Sequence, residues 1–384
     1  MRIVDIRERS VPISRYADPA LPSGGLTTSI VAVVTDATRN GRPVIGYGFG
    51  SMGRFAQGGL IRERFAPRLL GATDLATADG GGLDPFRAWH AMMANEKAGG
   101  HGERCVAVGT LDMALWDAAA KLADLPLHRL LAERLPEAQP ARRGLAAYAG
   151  GGYRYPADDL ARLADEIRRL RDLGYASVKL KIGGVPLAQD LRRIEAALAL
   201  LPADRLAVDA MNAYGPAESL AAADALAPHE LRWFEDICDP LDFETHGAVA
   251  ARYDGAIAAG EALFSEAEAR LLHRHGGLRP ARDILVFDPV HCYGLPGYLR
   301  ILRALEAAGW PRAAFWPHGG HLCCQHLVAA LGLGGVEVNA LCFAPFGGLV
   351  DGAVPVDGQV LPPDAPGIGF EQKSALRALF ATLF

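Results

Sequence analysis

Two textures of hydrophobic patterning divide the chain. Over residues 1–36, apolar and polar positions alternate, as in Ile3-Val4-Asp5-Ile6, and lead into the run Ser29-Ile30-Val31-Ala32-Val33-Val34. Period-two alternation predicts strands. Asn40-Gly41 joins that run to Val44-Ile45-Gly46-Tyr47, the signal of a two-residue hairpin. Helical spacing follows over about 59–71, 85–94 and 104–123. Strands succeeded by helices predict an α+β domain over residues 1–140.

From about residue 145 short apolar runs alternate with alanine- and leucine-rich amphipathic segments. The first such helix, 158–173, is expected to bury Leu160, Leu163, Ile167 and Leu170 and to stop at Gly174. Strands are predicted at 145–148, 177–182, 206–209, 231–235, 256–259, 284–288, 313–316 and 336–339. Eight strand–helix units at roughly 30-residue spacing argue for a parallel α/β barrel of the (β/α)8 type. The barrel is placed at 141–350. The Gly- and Pro-rich stretch 351–384 is expected to return to the first domain, which caps the barrel. A doubly wound open sheet is the structural rival.

Parallel barrels carry their chemistry where strands end and loops begin. Here those ends are charged. Strand two ends in Lys179 and Lys181, strand three in Asp209, strand four in Glu235, strand five at Glu261 and strand six in Asp288; strand seven leads to His318, and strand eight starts near Glu337. Asp209, Glu235 and Glu261 come from consecutive strands, so their tips can converge. Three carboxylates at one point repel unless a cation neutralises them, and hard oxygen ligands favour Mg²⁺, with Mn²⁺ next. Lys179 and Lys181 lie on one strand face. Neighbouring ammonium groups depress each other's pKa, so one of them can serve as a general base. Asp288 can fix the tautomer of His318 and raise its basicity, giving a second acid/base group.

Composition narrows the classes. The chain has 384 residues, half of them hydrophobic, and a net charge of −5, which argues against nucleic-acid binding. Its six cysteines form no CxxC pair, so free thiols in a cytoplasmic protein are expected. The N-terminus lacks the apolar core of a signal peptide, and no run approaches the length of a membrane span. Two motifs read as decoys. Gly48-Phe49-Gly50-Ser51-Met52-Gly53 fits GxGxxG but follows a hairpin rather than opening a βαβ unit. His318-Gly319-Gly320-His321 with Cys323 and Cys324 has no standard zinc spacing.

The motifs VKLKIGG, VDAMN, WFED, GEALFS, FDPVHCYGL and WPHGGH, with GTLDMALWDAAAKL ahead of them, resemble the enolase superfamily, specifically its mandelate racemase subgroup. The resemblance covers nearly the whole chain. It implies Asp209, Glu235 and Glu261 as Mg²⁺ ligands, Lys181 as the base for the α-proton, and Lys179 as its pKa modulator. It further implies His318, oriented by Asp288, as the second acid/base group. A protonated Glu337 would hydrogen-bond the enediolate oxygen. The implied reaction is dehydration of a hydroxy or sugar acid to a 2-keto acid. NEKAGGHGER, LGLGG and PGIGFE point to a D-tartrate-like diacid. A racemase or epimerase uses the same groups, and a non-catalytic metal- and acid-binding barrel is the reading outside that class. The expected partner is a small hydroxy acid, in a homo-oligomer.

Two features depart from the subgroup. Met211 stands where Asp-x-Asn is usual, with Asn212 one place late, so a metal or substrate contact is lost or supplied by Asn212. The capping loop from Tyr16 to Gly25 lacks the expected polar set. Lys97 is a candidate for the distal carboxylate; an ordinary surface lysine is the other reading.

Overall fold

The computed structural model describes residues 1–140 and 144–384. The start expected for the second domain, residue 141, lies outside the described residues. Three antiparallel strands open the chain: β1 (Ile3–Pro12), β2 (Thr27–Arg39) and β3 (Arg42–Phe49), in the order β1-β2-β3. Asn40 and Gly41 turn the β2–β3 hairpin at φ 52° and 73°, the left-handed conformations that a two-residue loop requires. The helix Glu103–Leu122 lies against β3. Its approach is set by glycine: a Cβ on Gly46 would stand 1.9 Å from the Ala114 carbonyl, and one on Gly48 would stand 2.4 Å from that of Thr110.

The parallel strands are β4 (Leu145–Gly150), β5 (Val178–Lys181), β6 (Leu206–Asp209), β7 (Phe234–Glu235), β8 (Ile257–Ala259), β9 (Ile284–Leu285) and β10 (Val336–Val338). They form one curled sheet in which β10 pairs with β4, and sequence neighbours pair from β4 through β9. Among the described residues, seven of the eight expected strands are therefore present. The exception is 313–316. There a 3₁₀ turn, Arg312–Ala314, precedes a single bridge between Leu285 and Phe315, while the Trp316 amide donates to Leu285 and the Gly334 amide to Phe315. Pro311 and Pro317 bracket this segment and remove the donors that a longer ladder would need.

The helix Asp159–Asp172 buries Leu163, Ile167 and Leu170, and it ends where the Tyr175 amide reaches back to the Leu170 carbonyl across Gly174, at φ 100°. Leu160 does not join this face; it is exposed at the edge of the stripe. The opposite edge is taken by buried Glu166, whose carboxylate accepts from the Gly152 amide at 2.8 Å and the Tyr155 hydroxyl at 2.7 Å. The C-terminal residues pack on the first sheet. Phe380 stacks on Tyr47 with ring centroids 4.6 Å apart, and buried Asp117 accepts from the amides of both Tyr47 and Ile368. A short strand, β11 (Gln359–Val360), adds to β4 on the way. All six cysteines are buried free thiols. No helix among the described residues is long and apolar enough to cross a membrane.

Candidate active site

The charged strand ends converge as the parallel register requires. Lys181 pairs in register with Asp209, and Asp209 with Glu235. One carboxylate oxygen from each of Asp209, Glu235 and Glu261 lies within 4.8 Å of the others. Asp209 and Glu235 are buried, and Glu261 Oε2 is a buried acceptor without a hydrogen-bond partner. Trp233 Nε1 donates to Glu235 Oε2 at 2.6 Å, and the Met211 amide to Asp209 Oδ1 at 2.8 Å, so both carboxylates are oriented from behind. Three converging oxygens, one of them an orphan, fit a hard divalent cation.

Two lysines complete this side. Lys179 is wholly buried, ion-paired to Glu235, and lies 3.3 Å from Asp209 Oδ2 and 3.2 Å from Glu337 Oε1. Lys181 pairs with Asp209 Oδ2. Lys179 does depress Lys181, as expected, but the carboxylates around the pair reverse the net shift. Burial lowers both, but Glu235 and Glu337 outweigh it at Lys179, and Asp209 at Lys181, so both are raised. The lysines act in turn on the acids: burial raises Asp209, yet Lys181 and Lys179 hold it well below the usual carboxylate range. Glu337 also departs from expectation. Burial raises it, but Lys179 and His318 prevail and keep it ionised, accepting from the Gly319 amide at 3.1 Å.

His318 stands at the other end of the triad. Its Nε2 is 3.5 Å from Glu261 Oε2, and its Nδ1 is 2.8 Å from Asp288 Oδ2. Burial raises the Asp288 carboxyl, but the histidines around it, led by His291, hold it well below the usual range, so it accepts and Nδ1 donates. Burial would lower His318, but Glu261 and the Asp288 hydrogen bond raise it to about 9. Ser51, in a left-handed turn at φ 58° just after β3, sends its Oγ to Asp288 Oδ2 at 2.5 Å. The GxGxxG segment links the first domain to the His318–Asp288 pair. In the His-Gly-Gly-His segment His318 faces the triad, while His321 Nε2 is 3.2 Å from the same Ser51 Oγ and burial lowers His321 to about 4.

A cleft of about 320 Å³ opens over these groups, lined by Lys181, Glu261 and His318 from the parallel sheet and by Arg15, Arg54 and Met52 from the first domain. Asn212 lines it too, but its side-chain amide leans on Asp236 at 3.4 Å. Met211 occupies the position closer to the ligand and is 40% exposed. Lys97 is not part of this site. It is exposed and lines a different cleft with Trp89, Arg104 and Tyr293. Sequence patterning missed Ser51, Arg15, Arg54, His291 and Tyr153, because turns and loops carry no periodicity. A family profile described as "Enolase C-terminal domain-like" matches residues 162–376, more than half of the chain.

The chain belongs to the enolase superfamily, in its mandelate racemase subgroup. Arabinonate dehydratase of Saccharolobus solfataricus is 26% identical over 73% of this chain and 74% of its own length. L-talarate/galactarate dehydratase of Salmonella typhimurium is 30% identical over 62% of this chain and 56% of its own. The crystal structure of L-talarate dehydratase from a Polaromonas species, complexed with Mg and L-glucarate, superposes with a TM-score of 0.72 at 28% identity, covering 96% of this chain and 94% of that one. Other relatives are named as cycloisomerases and a dipeptide epimerase. As a member of the enolase superfamily this protein is an enzyme, and the reading of a non-catalytic barrel falls away.

Proposed function

We propose that this enzyme removes water from a hydroxy acid of the sugar-acid class, by way of its enediolate, to give a 2-keto acid. One observation carries the reading: Lys181 and His318 flank a single carboxylate triad from opposite ends, at Asp209 and at Glu261, within one cleft. Asp209, Glu235 and Glu261 would hold Mg²⁺, with Mn²⁺ as the alternative; the ion supplies a Lewis acid for the negative charge that develops on the substrate carboxylate.

The protein's own groups do the proton work. Lys181 takes the α-proton as the free amine, a form favoured once the Asp209 charge that otherwise holds its pKa up is taken up by the cation. The electron pair left behind forms the enediolate, then the α,β double bond, and expels the β-hydroxyl. His318 gives its Nε2 proton to that leaving oxygen, which departs as water, while Asp288 keeps the ring aligned and stabilises its cationic form. Lys179 holds Glu235 and Glu337 in place, and Glu337, ionised beside Lys179 and His318, stabilises the growing carboxylate charge only after taking a proton that it can donate. The enol released tautomerises to the ketone. A D-tartrate-like diacid heads the candidate substrates and would yield oxaloacetate.

The test is incubation with Mg²⁺ and a panel of tartrates, aldarates and aldonates, read as 2-keto acid. Product is expected from at least one acid and is lost on chelation; a panel without any keto acid counts against dehydration. The same opposed pair also suits a second reading, racemisation or epimerisation. Its mark would be α-proton exchange in D₂O, with inversion and without keto acid.

A further inference from the structure

The cleft has a second, cationic half that the proton chemistry does not use. Arg54 follows the Ser51 turn directly and reaches the wall that carries His318. Its guanidinium stacks over the Phe264 ring, Cζ to centroid 4.7 Å, and lies close enough to His291 to oppose that ring's protonation. The His291 and His318 rings are in turn 5.6 Å apart. Among the described residues Arg54 has no carboxylate partner and no hydrogen-bond acceptor. Arg15 stands on the other wall. Its Cζ is 5.5 Å from the centre of the Tyr153 ring, which Lys181 Nζ approaches at 5.4 Å. One Arg15 nitrogen donates to the Ser23 carbonyl at 3.2 Å, while its Nε is buried with no partner.

The imbalance is the point. Some arginines of this chain meet carboxylates, as Arg64 and Arg68 meet Glu96, and others lie over a ring instead, as Arg300 does over Trp89. In the cleft, Glu261 is the lone acid of the lining, and it belongs to the metal triad. Arg15 Nε is a buried donor without an acceptor and Arg54 is a half-buried guanidinium without a counter-charge, so a ligand carboxylate in the cleft would satisfy the one and pair with the other. Arginine also suits the planar, two-oxygen geometry of a carboxylate, and a guanidinium anchored over an aromatic face is pre-organised to meet it.

We propose that the substrate carries a second carboxylate at the end remote from the reacting carbon, and that Arg54 receives it, with Arg15 closing the opposite wall. This rests on the dehydratase reading for the reaction, and it moves the distal contact from Lys97 to Arg54. The substrate class is then a hydroxy dicarboxylate rather than a hydroxy monocarboxylate.

The experiment compares dicarboxylates with monocarboxylates of equal chain length and hydroxyl configuration, in wild type, Arg54→Gln, Arg54→Lys and Arg15→Gln, with Mg²⁺ present. Wild type is expected to favour the dicarboxylate. Arg54→Gln should lose about 10- to 100-fold in kcat/KM on it, mostly through KM, the size of a charge-assisted hydrogen-bond pair. The monocarboxylate should change by less than about 3-fold, and Arg54→Lys should fall between, because one charge remains without the fork. Arg15→Gln should lose less. A wild type that prefers monocarboxylates, or an Arg54→Gln loss equal on both classes, overturns the proposal. If no acid is turned over, the reaction reading fails on its own, and thermal stabilisation by the same acids decides this one. Dicarboxylate-selective stabilisation abolished in Arg54→Gln upholds it; stabilisation blind to the second carboxylate overturns it.

Discussion

The floor of the cleft and its roof are built by opposite rules. The floor is made of buried strand ends whose charges are paired, Glu261 Oε2 excepted: Lys179 with Glu235 and Glu337, Lys181 with Asp209, His318 with Asp288. The roof comes from loops of the first domain and is open. Arg15 and Arg54 lack carboxylate partners there, and Phe55 is 58% exposed. Burial makes the floor costly to alter, because any change strands a charge in low dielectric. The roof can change without such a penalty. Under the proposed function the floor carries the shared chemistry and the roof carries the choice of acid.

Several measurements can break that contrast. The largest effect on stability is expected at Lys179→Ala, which leaves buried carboxylates uncompensated. Unfolding of the metal-free protein should become easier by about 3–5 kcal/mol, as read from urea midpoints, and Mg²⁺ should restore part of the loss. A change under 1 kcal/mol would mean that the floor is not the tightly coupled network described here.

The next effect lies just behind the floor, in the helix Leu322–Leu331. His326 there accepts the His128 amide on Nδ1 at 3.1 Å and has Nε2 3.1 Å from the Ile368 carbonyl, so both nitrogens are satisfied only in the neutral ring. Burial, followed by His128, pushes its pKa down to about 3. A depressed folded value means that the unfolded chain takes the proton first. Stability is therefore complete above the ordinary histidine value of about 6.5 and is lost as the pH falls toward 3. Between pH 7 and pH 5 this single group should remove about 2 kcal/mol. His326→Leu should flatten the urea-midpoint profile by that amount; an unchanged slope would show that this ring is not the titrating group.

Smaller still is Met211. It sits at φ 50° two residues after Asp209, a left-handed conformation that costs an ordinary side chain about 1 kcal/mol. Met211→Gly is expected to raise stability by about that much, while Arg54→Gln on the roof should stay within about 0.5 kcal/mol of wild type. An Arg54→Gln loss above 2 kcal/mol would make the roof as structural as the floor.

The same contrast explains what could be read from the residues in order. Lys179, Lys181, Asp209, Glu235, Asp288 and Glu337 were legible because strand periodicity says which way a side chain points and where a strand stops. The proline-bracketed segment at 313–316 was not, since it keeps the apolar composition of a strand while losing its donors. The net sign at the lysine pair was not legible because the two like charges stand two residues apart on one strand, whereas Glu235, Glu337 and Asp209, which outweigh their repulsion, arrive from other strands. Lys97 was chosen for its motif and lies on another cleft. Arg54 was passed over directly after the segment Gly48–Gly53 set aside as a nucleotide decoy, though the glycines at 46 and 48 that pack β3 on its helix also deliver Ser51 and Arg54 to the site.

The central claim is the division of labour between Lys181 and His318. It is tested most directly by proton NMR of a turned-over acid in D₂O with Mg²⁺, comparing Lys181→Ala with His318→Asn. The account predicts that Lys181→Ala loses both α-proton exchange and keto-acid formation by about 10³-fold or more, while His318→Asn loses keto acid but still exchanges the α-proton. Exchange that survives in Lys181→Ala and disappears in His318→Asn would contradict it.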